Sequence, residues 1–263
     1  MARPHIFVAT HHKGGTVWMV STFHRLAKAN GFSFVHLNRP EKAWEISPAK
    51  PEFLENERRK LEAINDRPGV FFDYHSAIPD LSACKASRGA RGIHLVRDPR
   101  DMLISAVRYH LKSTEAWLDE PDAKWGGRSF RQKLSSYPQY TDQLRFEMDT
   151  HMGRTIRNMA EFDTQGVFRN VRYEDLIVDE DMMRFHELCL WLGLTGLEII
   201  RALRVYWGCS VFGQLRTAAQ SGSHGHIVNS AARQWETALS PGALDSIQRE
   251  LGSQIAALGY DLV

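Results

Sequence analysis

The chain has 263 residues, 43% of them hydrophobic, which suits one α/β domain with insertions or at most two small domains. A formal net charge of +2 excludes bulk electrostatics as the driver of nucleic-acid or anionic-membrane binding, so any anion site must come from local placement of Lys and Arg. Cys84, Cys189 and Cys209 are too widely spaced for a disulfide framework or a metal motif. With no signal-peptide pattern after Met1 and no apolar run of spanning length, the expected location is the cytoplasm.

Ile6-Phe7-Val8-Ala9 reads as a first strand running to about Thr10, and a helical pattern follows over Thr16–Ala29, stopped by Gly31. Phe32–Leu37 reads as strand two. Arg39–Pro51 reads as a surface loop and Glu52–Asn65 as a solvated, charged helix. Val70–Tyr74, announced by Pro68-Gly69, and Gly92–Val96 are short apolar runs flanked by breakers, as buried parallel strands tend to be. Pro99 opens a helix to about Lys112. Glu115–Tyr140 reads as an insertion, and its Trp117, Trp125 and Phe130, with Phe71 and Phe72, either line an apolar pocket or belong to the core. One helix is expected over Asp142–Phe162, a fifth strand over Val167–Val171, and helices near Asp181–Leu192 and Glu198–Tyr206. Gln214–Asn229 reads as a mobile segment before a last helix that begins after Ser240-Pro241 and ends near Gly259.

Strands alternating with helices predict a three-layer α/β/α fold with a mostly parallel sheet of about five strands, and ligands at the carboxyl ends of those strands. The whole chain is expected to form one domain, with insertions near 39–69 and 115–140. Lys13, Tyr74-His75 and Arg97 all fall at strand ends.

Thr10-His11-His12-Lys13-Gly14-Gly15-Thr16-Val17-Trp18 joins strand one to helix one. Two glycines allow a tight turn and close backbone approach, and the helix N-terminus presents free N–H groups and a favourable dipole to an anion. Lys13 precedes the glycines, so this is not G-x-x-x-x-G-K-[ST]. A second pattern, Arg97-Asp98-Pro99-Arg100-Asp101-Met102-Leu103-Ile104-Ser105, puts a guanidinium at a strand end and a hydroxyl two helical turns on. On spacing alone it suits a phosphate or a capped helix entry equally well.

Together these two motifs resemble the sulfotransferases that use 3′-phosphoadenosine-5′-phosphosulfate (PAPS) and release 3′-phosphoadenosine-5′-phosphate (PAP). That family's T-x-P-K-S-G-T-T-W loop is T-H-H-K-G-G-T-V-W here, and its R-[DN]-P-[RK]-D-x-x-x-S is matched fully. The resemblance implies that Lys13, Gly14, Gly15, Thr16, Val17 and Trp18 hold the 5′-phosphosulfate end, and that Arg97 and Ser105 hold the 3′-phosphate. Tyr173, in Val171-Arg172-Tyr173-Glu174-Asp175-Leu176, and Ser210-Val211-Phe212 then fall beside the adenine. His75, in Asp73-Tyr74-His75-Ser76, matches the catalytic base, with Lys13 stabilising charge on the leaving group. Trp235 resembles the tryptophan after the family's C-terminal phosphate loop.

Several positions depart from the family. Asp73 stands where the family has lysine, His12 replaces proline and Gly14 replaces serine. The R-K-G signature has no clear match near Val228-Asn229-Ser230, which leaves Arg216 or Arg233 to supply its charge. The implied function is sulfuryl transfer from PAPS to a hydroxyl or amine of a small-molecule acceptor, without a metal, a nucleic-acid partner or a membrane span. A P-loop-type small-molecule kinase and a non-catalytic PAP- or PAPS-binding protein stay open as other classes.

Overall fold

In a computed structural model of the chain, residues 5–37, 68–73, 89–214 and 232–263 are described. The expected helix at Glu52–Asn65, the segment Gln214–Asn229, and the residues Tyr74, His75, Ser76, Cys84 and Arg216 lie outside that range, apart from the backbone of Gln214. The chain divides into two compact units, Met1–Val96 with Phe162–Ser230 and Arg97–Glu161 with Ala231–Val263.

The first unit holds the whole sheet. Its strands are β1 (Ile6–Ala9), β2 (Ser33–His36), β3 (Gly69–Asp73), β4 (Arg91–Val96) and β5 (Phe168–Arg172), in the order β2-β3-β1-β4-β5. Every pairing is parallel, with Ile6 opposite both Val70 and Arg91, and His94 opposite Asn170. This is the parallel sheet with flanking helices expected from the sequence, in the P-loop-like α/β/α class. β1, β3 and most of β4 are buried, which explains their near-continuous apolar runs. On one face Phe7 stacks on Phe71 with ring centroids 4.8 Å apart, in a core shared with Ala9, Leu37, Ala90 and Phe168.

Helix α1 (Thr16–Asn30) leaves β1 and buries Met19, Phe23, Leu26 and Ala27. Gly31 ends it in the left-handed region, its N–H closing on the last-turn carbonyls.

The second unit begins as the chain leaves β4. Its helix α2 (Pro99–Lys112) has Pro99 in the first turn and Asp98 as N-cap. The 115–140 stretch contains two 3₁₀ turns, Ala116–Asp119 and Ala123–Trp125, and helix α3 (Phe130–Ser135), closed by a Ser129–Gln132 capping box. Leu118, Phe130, Leu134 and Phe146 form a core there, with Trp117 and Trp125 packed against it. Phe130 is core, as Phe71 and Phe72 are in the sheet, while Trp117 and Trp125 are half-buried against it.

The single helix expected over Asp142–Phe162 is two, α4 (Tyr140–Asp149) and α5 (His151–Ala160). Thr150 leaves helical geometry at φ −123°, ψ −114°, and its hydroxyl donates to the Phe146 carbonyl instead. The chain returns to the first unit through β5, α6 (Tyr173–Ile177), α7 (Met183–Trp191), α8 (Leu197–Cys209) and α9 (Val211–Gln214). It ends in the second unit with α10 (Trp235–Ala238) and α11 (Pro241–Ala257), capped by Ser240. No helix among the described residues is long and apolar enough to cross a membrane.

Candidate functional site

β1 lies at the centre of the sheet, where the chain order reverses, so the crevice above its carboxyl end is the natural ligand position. Thr10, just past β1, is tied to β3 by its N–H donating to the Asp73 carbonyl at 2.8 Å. The chain then turns sharply. The Gly14 N–H closes on the His11 carbonyl at 2.9 Å, with Lys13 at φ 63° in the third position of the turn. The Thr16 hydroxyl lies 2.9 Å from the same carbonyl and 3.1 Å from the Thr10 hydroxyl, pinning the loop to its own base.

Gly15 completes the turn at φ 102° as the N-cap of α1. A Cβ there would sit 2.9 Å from the Tyr173 ring and 3.1 Å from the Leu95 side chain, so both dihedral and space demand glycine. The first turn of α1 carries no acidic residue, and its glycine cap has no side chain to accept from the N–H groups there. The N-terminal N–H groups of a 15-residue helix therefore face a place suited to an anion, with Lys13 in the turn that precedes it. Val17 points outward and is 62% exposed, so it contributes backbone rather than side chain.

Beneath the loop runs a polar chain that sequence reasoning missed, buried at His11 and His94 and reaching the surface at Asn170. His11 Nε2 lies 2.9 Å from His94 Nε2, and His94 Nδ1 lies 2.9 Å from Asn170 Oδ1. The amide oxygen only accepts, so His94 carries its proton on Nδ1 and offers Nε2 as acceptor. His11 must then donate from its own Nε2. His94 also stacks on Phe162, with centroids 4.0 Å apart. Burial pushes its pKa down to about 4 against the raising effect of the Asn170 bond, so the imidazole is neutral at pH 7. A lone polar residue inside the apolar run Gly92-Ile93-His94-Leu95-Val96 is the signal that points to it, since a buried polar group requires a partner. His11 is thus a buried anchor of the loop, whereas His12 is half-buried.

Trp18, one turn into α1, meets Tyr173 edge-on at 5.8 Å and stacks on Tyr206 at 5.9 Å. Its indole Nε1 is buried and has no hydrogen-bond partner among the described residues. Phe212 packs edge-on against Tyr206 at 5.9 Å. The predicted residues Trp18, Tyr173 and Phe212 thus meet in one aromatic cluster of the first unit, joined by Tyr206, which the sequence did not flag. Ser210 is buried, and its hydroxyl donates to the Trp207 carbonyl and accepts from the Gly213 N–H. Its hydroxyl is therefore engaged in capping α9.

In the second unit, Arg97 is buried at the start of the R-D-P-R-D motif. Asp98 accepts from the Arg100 N–H at 2.9 Å and from the Nε and Nη2 of its guanidinium at 2.9 and 2.8 Å. Arg100 is thereby fixed over the Trp235 ring, 3.8 Å from its centroid. Asp101, fully buried, accepts from the Trp235 N–H at 3.0 Å. Burial raises its pKa, while the Arg97 charge and the Trp235 N–H hold it down. Ser105 is half-buried on α2 and its hydroxyl makes no hydrogen bond among the described residues. Arg233 is exposed and ion-paired with Glu236. His110, also in α2, is buried against Glu147 at 2.6 Å.

The sulfotransferase domain family model matches residues 3–207. No curated protein matches the chain's sequence. Among solved structures, mouse sulfotransferase SULT7A1 complexed with PAP is 12% identical with a TM-score of 0.59, covering 97% of this chain and 86% of that one. Retinol dehydratase complexed with androsterone and inactive cofactor PAP is 15% identical with a TM-score of 0.54, covering 100% of this chain and 83% of that one. Those likenesses are of fold. With the family model spanning both the Lys13 loop and the R-D-P-R-D motif, the chain belongs to the sulfotransferase domain family.

Proposed function

We propose that the protein transfers the sulfuryl group of PAPS to a hydroxyl or amine of a small-molecule acceptor in the cytoplasm. The observation that carries this is the Lys13–Gly15 turn at the carboxyl end of the central strand, with an uncapped helix N-terminus behind it. The structural neighbours complexed with PAP support the nucleotide. Free Cys189 and Cys209 suit a reducing compartment.

In this reading Lys13 and the N–H groups of the loop neutralise charge that grows on the bridging oxygen as the S–O bond to the 5′-phosphate breaks. Trp18 and Tyr173, with Phe212 behind them, give the adenine a flat aromatic surface. Arg97 and Ser105 hold the 3′-phosphate; guanidinium and hydroxyl together suit its geometry. His75 takes the acceptor proton as oxygen or nitrogen attacks sulfur, and PAP leaves. Sulfuryl transfer, like phosphoryl transfer, needs positioning and charge stabilisation above all.

The test is a transfer assay with labelled PAPS across phenols, alcohols, amines and sugars, with ATP as the competing donor and PAP affinity measured alongside. Transfer from PAPS and none from ATP is expected. His75→Ala should lower turnover by about 10²- to 10⁴-fold, the usual contribution of a general base, while PAP still binds. Full turnover in that variant would remove His75 from the role.

A further inference from the structure

A groove of about 440 Å³ lies in the first unit, between α1 and α8, lined by Arg25, Ala29, Arg201, Arg204, Val205 and Gly208. The two helices pack side by side. Arg201, Arg204, Val205 and Gly208 fall at i, i+3, i+4 and i+7 on one face of α8, and Arg25 and Ala29 at i and i+4 on α1. All three arginines are exposed, and none has a hydrogen bond or ion pair among the described residues.

The local charge is one-sided. α1 carries Arg25 and Lys28 and no acid, and the one acid of α8, Glu198, is buried against the Thr195 N–H at 3.1 Å. Three unpaired guanidinium groups thus share one groove in a chain whose formal net charge is only +2. Like charges brought together repel, and an anion that bridges them relieves that repulsion.

A glycine in the lining of the groove gives an independent reason. Gly208 sits in the last turn of a helix, where glycine is less favourable than alanine. It does not have positive φ, and a Cβ there would meet nothing within 4 Å. Neither dihedral nor packing calls for glycine. Ala29 lines the same groove, so two minimal residues help keep it open beside the arginines.

We infer that this groove is a second anion site, separate from the Lys13 loop, for a small ligand carrying two or more phosphate or sulfate groups. Its volume is in the small-molecule range, which favours a compact polyanion over a macromolecular surface. Arginine suits such a ligand because its planar fork pairs bidentately with phosphate or sulfate oxygens.

The experiment is calorimetric titration of the full chain with myo-inositol hexakisphosphate and, separately, myo-inositol hexasulfate, each with and without saturating PAP. Binding that persists under PAP and weakens as salt is raised is expected. The relative affinity of the two probes assigns the phosphate or the sulfate source. Gly208→Glu fills the groove with an opposing charge at a position with room for it, and should weaken either probe at least about tenfold. Gly208→Ala should bind as the parent does, and Arg25→Ala/Arg201→Ala/Arg204→Ala should lose binding while keeping its affinity for PAP. Failure of both probes to bind, displacement by PAP, or unchanged affinity in Gly208→Glu and the triple variant would each overturn the proposal. PAP affinity read in the same proteins tests the nucleotide reading separately.

Discussion

Replacing Gly15 by alanine tests the geometry of the anion loop most directly. The backbone there is at φ 102°, ψ 16°, a conformation that L side chains rarely adopt. Holding a non-glycine residue in such a region costs about 1–3 kcal/mol. The new methyl would also lie 2.9 Å from the Tyr173 ring and 3.1 Å from the Leu95 side chain, closer than carbon atoms tolerate. Both neighbours are buried, so relief requires a shift in the core, and overpacking of that kind costs about 1–3 kcal/mol. The sum, about 2–6 kcal/mol, can appear as lost global stability or as a rearranged loop. Two measurements separate these outcomes: guanidinium unfolding followed by circular dichroism, and PAP titration. If the loop yields instead of the core, PAP affinity should fall at least about tenfold, since 1.4 kcal/mol is a factor of ten. A variant within about 0.5 kcal/mol of the parent stability, inside the range of an indifferent surface substitution, and binding PAP unchanged would refute the reasoning.

Burial holds the His94 pKa at about 4, below the unfolded value of 6.5, so the unfolded chain gains a proton on acidification that the folded chain refuses. Stability should therefore fall as pH drops from about 6.5 to 4, by roughly 3 kcal/mol from this group, with no further loss from it below 4. Urea unfolding of His94→Gln across that range should show a shallower slope; a slope equal to the parent's would count against the buried chain. Asp101→Ala should cost about 1–3 kcal/mol by stranding the buried Trp235 N–H, whereas Asp101→Asn keeps an acceptor and should recover most of it. Equal losses in both, measured by unfolding with tryptophan fluorescence, would show that the hydrogen bond is not the cause. Arg97→Ala should weaken PAP binding by one to two orders of magnitude, about 1.5–3 kcal/mol for a charged hydrogen bond, and unchanged affinity would remove it from the nucleotide site.

β1 and β3 were readable because each is a short apolar run beside breakers, a pattern that burial on both faces enforces. The break at Thr150 was not readable, because residues 142–162 keep a helical pattern throughout and the chain leaves helical geometry at that single residue. Gly153 is the trace it leaves in the sequence: a Cβ there would lie 1.7 Å from the Met148 carbonyl oxygen. The tight turn of the Lys13 loop was readable because its glycines and helix start are contiguous. The polar floor under it was not, since His11 and His94 are 83 residues apart and His94 and Asn170 are 76 apart. Likewise the bond from Trp235 to Asp101 spans 134 positions, which no local pattern encodes.

The one-way order of donors from His11 through His94 to Asn170 constrains which substitutions a lineage can accept. Aspartate is isosteric with asparagine, but at position 170 its charge would favour the protonated form of His94, in which both ring nitrogens are donors. His11 would then have to change tautomer to accept, and a cation would sit beneath the turn that carries Lys13. An exchange at position 170 is therefore neutral only with a matching change at position 94 or 11. These three sites, distant along the chain, should be inherited as a set.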